Sequence, residues 1–368
     1  MEVAYFSPLP PERSGVADYS ALLLPALRRR LPVRVVRRGH RADGSSVCLY
    51  HLGNDPNAHG WIVDALERRP GVVVLHEVAL HELFASLALA RGEVERYLDA
   101  VEREGGAAAR RLARLSLAGL APPLWETRPL ELPLLSAVLR QAEAVIVHSR
   151  FAAERVRGAG YTGPVTRIPM PAPQGSARSV PVEPRPVICS AGIVNWTKRI
   201  PQLLAAFALL RRRFPDAVLL LVGPGAAGLN LPARLEQLGL QLGRDVLDLG
   251  YVEEPRLVEL MAASTVCVGL RWPTLGETSA SVVRALTLGR PTVVTEAGWF
   301  AELPGSVAAK IPLGGDLEVE HLAAVLELLC ADESLRARMG AAAREYASRE
   351  HNLDDAADAY AAALRQAA

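Results

Sequence analysis

Pro164-Val-Thr-Arg-Ile-Pro169-Met-Pro171-Ala-Pro173-Gln-Gly-Ser-Ala-Arg-Ser-Val-Pro181-Val-Glu-Pro184-Arg-Pro186-Val-Ile-Cys-Ser190 splits the chain in two. Each proline fixes φ and removes an amide donor, so the segment up to Pro186 excludes regular helix and central strand. It reads as a semi-rigid linker. At Val187–Ser190 a short apolar run follows at once, the mark of a strand buried on both faces.

Working outward, both sides show the same alternation. On the N-terminal side, strand-like runs lie at Val3–Phe6, Val33–Val36, Val47–His51, Val72–His76 and Val145–His148. Amphipathic stretches such as Ala17–Arg30 and Ala58–Arg69 lie between them. On the C-terminal side, strands are expected at Val187–Ser190, Val218–Val222, Val246–Leu249, Val266–Leu270 and Thr292–Thr295. Helices are expected at Lys198–Arg213, Glu254–Ala263, Ser279–Leu288, His321–Leu329, Glu333–Arg349 and Asp354–Arg365. Repeated strand–helix alternation predicts an α/β fold of two tandem Rossmann-like, doubly wound domains facing a cleft. The domains are placed at residues 1–172 and 173–350, with 351–368 a helix expected to pack back on the N-terminal domain.

Composition narrows the function. A chain of 368 residues, 50% apolar, suffices for two cores. Its net charge of +1 argues against a nucleic-acid partner. Cys48, Cys189, Cys267 and Cys330 are scattered without paired spacing, which reads as reduced thiols in a cytoplasmic protein and gives no zinc motif. Met1–Pro10 is too short and polar for a signal segment, and no apolar run is long enough to span a membrane. Arg28, Arg29, Arg30, Arg34, Arg37, Arg38 and Arg41 crowd one stretch with two readings, a solvated basic face or a peripheral contact with anionic membrane.

Ligands of open α/β sheets bind beyond the carboxyl ends of the strands, so the candidates lie there. After the first strand, Ser14 and Gly15 precede a helix; a glycine admits a ligand to the backbone amides, and the helix N-terminus favours an anion. An ordinary strand-to-helix turn is the plain alternative. His76 ends the fourth strand. With His81 five residues on, about 140° around a helix, a zinc-protease pair fails. A satisfied structural histidine stays open. Gly192-Ile-Val-Asn-Trp-Thr-Lys-Arg199 opens a helix after a strand, making Lys198 either a cation for phosphates or a solvated lysine. Gly223-Pro-Gly-Ala-Ala-Gly228 fits G-x-G-x-x-G, but Pro224 and Pro232 spoil the turn into a helix, which disfavours a dinucleotide site. The densest segment is Leu270–Val294. Arg271, Gly276 and Glu277 stand in a polar loop, and Thr278 or Ser279 caps the next helix. The amides and dipole at that N-terminus suit a diphosphate.

Taken together, these residues resemble the retaining group 1 (family 4) glycosyltransferases of the GT-B fold over nearly the whole chain. The carriers are Pro10–Tyr19, Leu75–Glu77, His148-Ser-Arg-Phe151, Lys198 with its helix, Val222–Gly225, Leu249-Gly-Tyr-Val252 and Gly276–Pro291. The resemblance implies a nucleotide-diphosphate-sugar donor held mainly by the C-terminal domain and a sugar or glycan acceptor on the N-terminal one. It implies that Ser14 and Gly15 approach the donor and His76 touches the transferred sugar. Lys198 neutralises the diphosphate, Tyr251 and Val252 line the base pocket, and Gly276–Ser279 hold sugar and phosphates. Two departures stand out. Ile193 occupies a position where the family has an arginine, a charge Arg271 would replace. The family's two glutamates eight positions apart fall on Gly276 and Arg284, leaving Glu277 to take the first role and no carboxylate for the ribose at Arg284.

Negative charge grows on a departing diphosphate, and Lys198, Arg271 and the amides near Thr278 and Ser279 would stabilise it. Glu277 and His76 would orient the sugar. No metal and no cofactor is expected. By resemblance the configuration is retained, the leaving phosphate taking the acceptor proton. Competing readings are an epimerase or phosphorylase-like enzyme on the same fold, and a non-catalytic sugar-nucleotide-binding relative.

Overall fold

The computed structural model describes residues 1–12, 14–42, 44, 46–172, 185–225, 228–315 and 317–368. It divides into two compact units. Unit one is Met1–Pro171 with Pro273–Thr278 and Leu353–Ala368; unit two is Ala172–Trp272 with Ser279–Asn352. Each is an α/β domain built on a parallel sheet.

Unit one contains β1 (Val3–Phe6), β2 (Val33–Val36), β3 (Val47–Leu52), β4 (Gly71–Leu75), β5 (Ala142–Val147) and β6 (Val165–Arg167), in the order β2-β1-β3-β4-β5-β6. β1 and β4 are buried along their whole length, as strands covered on both faces must be. Strand order reverses between β1 and β3, so the crevice of this sheet opens beyond their carboxyl ends. Helix Leu353–Gln366 belongs to this unit and packs on helix Gly15–Arg28. The buried Tyr19 and Tyr360 hydroxyls meet at 2.7 Å, and Arg30 pairs with Asp358 and Asp354 at 2.6 and 3.1 Å. Arg29 also pairs with Asp354, Arg34 with Glu2, and Arg38 donates to the Asn57 carbonyl. Much of the basic stretch is thus spent on the protein itself.

Unit two contains β7 (Val187–Ala191), β8 (Val218–Val222), β9 (Val246–Asp248), β10 (Val266–Gly269), β11 (Thr292–Thr295) and β12 (Ala309–Ile311), in the order β12-β11-β10-β7-β8-β9. Side chains alternate between two apolar layers: Ile188, Val266 and Val268 enter one, Val187, Cys189 and Cys267 the other. Here the order reverses between β7 and β10.

Three expectations need correction. The start of the presumed linker is strand β6, at the sheet edge, where a neighbouring proline is tolerated; residues 173–184 of that linker lie outside the described residues. Lys198 does not open a long helix. It closes a 3-10 turn, Trp196–Lys198, and the α-helix starts at Ile200 because Arg199 takes φ +54°. His76 and His148 each stand one residue beyond their strands. Among the described residues no helix is long and apolar enough to cross a membrane.

Unit one buries neutral histidines. The His81 ring is held between the Leu132 carbonyl (Nδ1, 2.7 Å) and the Tyr97 hydroxyl (Nε2, 2.9 Å). Burial lowers both His59 and His81 to about 4. In the unfolded chain they protonate near 6.5, so below that pH the unfolded state binds more protons than the native one. Stability is therefore complete above about pH 6.5 and is lost as pH falls toward 4, each group contributing about 3 kcal/mol. Denaturant melts from pH 8 to 4.5 are expected to show a flat midpoint above pH 7 and a steep fall below 6.5. A midpoint unchanged to pH 5 would contradict burial of these rings in the neutral form.

Candidate functional site

At the switch point of unit two the chain leaves β7 through Gly192 and leaves β10 through Arg271. The β7 exit is shaped by Asn195, whose side chain accepts from the Lys198 amide (3.1 Å) and the Thr197 hydroxyl (2.9 Å). This capped turn folds Lys198 back over the strand end, where its ammonium donates to the Ala191 carbonyl at 3.1 Å. The room for it comes from Gly192, since a Cβ there would lie 2.8 Å from Nζ. Arg271 reaches the same turn: its Nη1 donates to Thr197 Oγ1 at 2.7 Å, and its amide donates to Thr295 Oγ1 at 3.0 Å. The Trp272 amide adds a bond to the Thr197 carbonyl at 2.7 Å. Two cations are thus tied to one turn at the carboxyl edge of the sheet. Ile193 is 53% exposed beside them.

Neighbouring loops are stitched to this edge. The Gly192 amide donates to Val222 O and the Gly223 amide to Gly250 O, both at 2.8 Å. A Cβ at Gly223 would fall 2.3 Å from the Gly192 carbonyl oxygen. Close backbone approach explains the glycine that the G-x-G-x-x-G match picked out. Tyr251 follows Gly250 and is 53% exposed, its hydroxyl 3.5 Å from Glu253; Val252 is half-buried against the core. Ser279 caps helix Ala280–Thr287, accepting from the Val282 amide. On that helix Arg284 is ion-paired with Glu254.

In unit one, Ser14 caps helix Gly15–Arg28 by accepting from the Ala17 amide at 3.0 Å. Gly15 is exposed, with open space around it. His76 leaves β4, and the segment just after it receives the loop Pro273–Thr278: the Val78 and Ala79 amides both donate to Leu275 O, at 2.8 and 3.0 Å. Gly276 has φ +81° and sits against Val78. Glu277 turns back on its own loop, accepting from Thr274 Oγ1 (2.8 Å) and the Leu275 amide (2.7 Å). Thr278 Oγ1 is buried without a hydrogen-bond partner among the described residues. His76, Gly276, Glu277 and Thr278 therefore fall in unit one with Ser14 and Gly15, whereas Lys198, Arg271, Ser279, Tyr251, Val252 and Arg284 fall in unit two.

Asn195, Thr197 and Thr295 escaped the sequence reading, although Asn195 three residues before Lys198 is a recognisable capping signal. His148 enters the sequence reading only at a strand end and within the motif His148–Phe151, and nothing in the sequence joins it or His51 to His76.

Residues 175–346 match the family model for glycosyl transferases group 1. No curated protein matches the sequence. Among solved structures, Anabaena Alr3699/HepE in complex with UDP and glucose is 16% identical, with 100% of each chain covered and a TM-score of 0.63. WaaG, a glycosyltransferase involved in lipopolysaccharide biosynthesis, is 15% identical, with 98% of this chain and 99% of that chain covered and a TM-score of 0.64. S. aureus TarM, solved with fondaparinux, alpha-GlcNAc-glycerol and UDP, is 15% identical over 63% of this chain, with a TM-score of 0.53; this chain spans 46% of its length. These likenesses establish the fold, that of the GT-B glycosyltransferases.

Proposed function

We propose that this chain is a retaining glycosyltransferase that moves a sugar from a nucleotide-diphosphate-sugar to a sugar, glycan, lipid-linked glycan or small-molecule acceptor. The observation that carries the reading is the pair Lys198 and Arg271, both bound to the turn at the β7/β10 switch point. Fixed cations at that place suit a diphosphate whose charge increases as the anomeric bond breaks. The group 1 match over residues 175–346 supports it, as do the UDP complexes of HepE and TarM, which put UDP first among donors to test. With Lys198 and Arg271 supplying the charge, transfer proceeds without a metal. Four free cysteines suit a cytoplasmic setting, and Arg28, Arg37 and Arg41 are the residues for any peripheral contact with anionic lipid.

A thermal-shift panel of UDP-, GDP-, ADP- and dTDP-sugars tests the reading, because a ligand that binds only the native state raises its melting temperature. One nucleotide class is expected to shift the transition, and nucleotide release from that donor is expected to persist in EDTA. No shift with any donor overturns the proposal. A second reading, donor binding without turnover, is favoured by Ile193 and by the commitment of Arg284 to Glu254. A saturable shift with no nucleotide release would select it.

A further inference from the structure

Three histidines from three separate strand ends meet inside unit one. His148 Nδ1 lies 2.8 Å from the Ile168 carbonyl oxygen, His148 Nε2 lies 3.3 Å from His76 Nδ1, and His76 Nε2 lies 3.0 Å from His51 Nδ1. At the far end His51 Nε2 is buried with no hydrogen-bond partner among the described residues. Aromatic rings enclose the row. Tyr5 of β1 lies 4.6 Å from His51, and Tyr19 lies 4.7 Å from His76 and 5.1 Å from His148. Tyr360 of the C-terminal helix lies 6.3 Å from His51.

The protonation pattern follows from one end. A carbonyl oxygen only accepts, so His148 carries its proton on Nδ1. A neutral imidazole has one N–H, so His148 Nε2 accepts and His76 Nδ1 must donate. By the same step His76 Nε2 accepts and His51 Nδ1 donates. All three rings are then Nδ1–H tautomers, and the one vacant lone pair is on His51 Nε2. A further proton has only that position to occupy, and there no hydrogen-bond acceptor faces it among the described residues; the Tyr5, Tyr19 and Tyr360 phenols stay protonated, burial raising all three. Burial, reinforced by the neighbouring histidines, holds His51 and His76 well below the usual imidazole range.

We infer that His51 and His148 are positioning residues that lock His76 as a neutral, Nδ1-protonated ring with both nitrogens occupied. His76 then meets a bound sugar as a rigid uncharged wall, and not as an acid, a base or a hydrogen-bond donor. This consequence for catalysis rests on the proposed transferase reading; the tautomer assignment does not.

Ring ¹⁵N NMR of histidine-labelled full-length protein tests the assignment directly. His51, His76 and His148 are expected to show the Nδ1–H pattern at pH 7 and to keep it down to pH 6. An Nε2–H ring or an imidazolium among the three overturns it. Variants test the positioning role. The amide nitrogen of Asn imitates a donating Nδ1, and the amide oxygen of Gln imitates an accepting Nε2. His51→Phe is expected to free His76 Nε2, change its tautomer signal and lower donor turnover about tenfold or more, as misplacement at a reacting centre does. His51→Asn and His148→Gln are expected to keep the His76 signal and most turnover. Full turnover in His51→Phe, with the native folded spectrum, overturns the positioning role. A correct tautomer pattern in a protein that turns over no nucleotide-sugar would instead defeat the transferase reading and leave the array intact.

Discussion

Replacing Lys198 by alanine is expected to remove about 10²–10³ from the turnover of the nucleotide-sugar, the usual consequence of deleting one fixed stabiliser of transition-state charge, roughly 3 kcal/mol. The fold is expected to survive. Lys198 is half-buried at a turn, and its ammonium donates to the Ala191 carbonyl. The turn itself is held by Asn195 and by Arg271 through Thr197, which alanine leaves untouched. Gly192→Ala provides an independent approach to the same atom. Its φ is +115°, and its added carbon would lie 2.8 Å from Nζ, so the lysine must move while its charge remains. Loss of turnover in both variants, with a normal melting curve for Lys198→Ala, only the small loss that its positive φ imposes on Gly192→Ala, and donor KM changing less than kcat, assigns the effect to the position of the charge. Wild-type kcat in the alanine variant would remove Lys198 from the site.

Much of the fold is legible in the chain, and what is not legible has physical causes. Val218–Val222 and Val3–Phe6 announce themselves because a strand covered on both faces has no polar position to hide it. β12 does not, since only one of its three residues, Ile311, is buried. β6 was masked by the prolines around it, which forbid a central strand but not an edge one. The nearness of Lys198 and Arg271 follows from strand order, which brings the ends of β7 and β10 together. Their common anchor Thr197 is not legible, because a threonine in a turn has no distinctive spacing. The bonds that one Glu277 oxygen accepts from Thr274 and the Leu275 amide have no sequence signal, because they depend on the backbone path of the loop. The histidine row is the extreme case, since His51, His76 and His148 are neighbours only after three strands have been laid side by side.

A side chain at Gly276 is expected to be strongly disruptive in unit one. The residue has φ +81°, a conformation costing an L-residue about 1–2 kcal/mol. A Cβ there would also lie 2.3 Å from Val78 Cγ2 and 3.3 Å from the Phe151 ring, so Gly276→Ala pushes the loop Pro273–Thr278 off its seat. Its Leu275 carbonyl then leaves the amides of Val78 and Ala79, both essentially buried, and each orphaned donor costs about 1–3 kcal/mol. The expected result is a lower melting temperature together with a loss of turnover of about 10²-fold, the scale of an ångström's misplacement at a reacting centre. Stability alone does not separate a packing role from a site role, so the decisive variant is the double one. Val78→Ala removes the methyl that meets the new carbon, leaving the φ term, the 3.3 Å approach to Phe151 and the lost packing of Val78 as smaller penalties. Gly276→Ala with Val78→Ala is therefore expected to recover most of the melting temperature. If turnover returns with it, the loop acts by its position. Should the fold recover while turnover stays lost, the loop's own backbone conformation at Gly276 is what the reaction needs. Unimpaired turnover in the single variant would exclude this loop from the site.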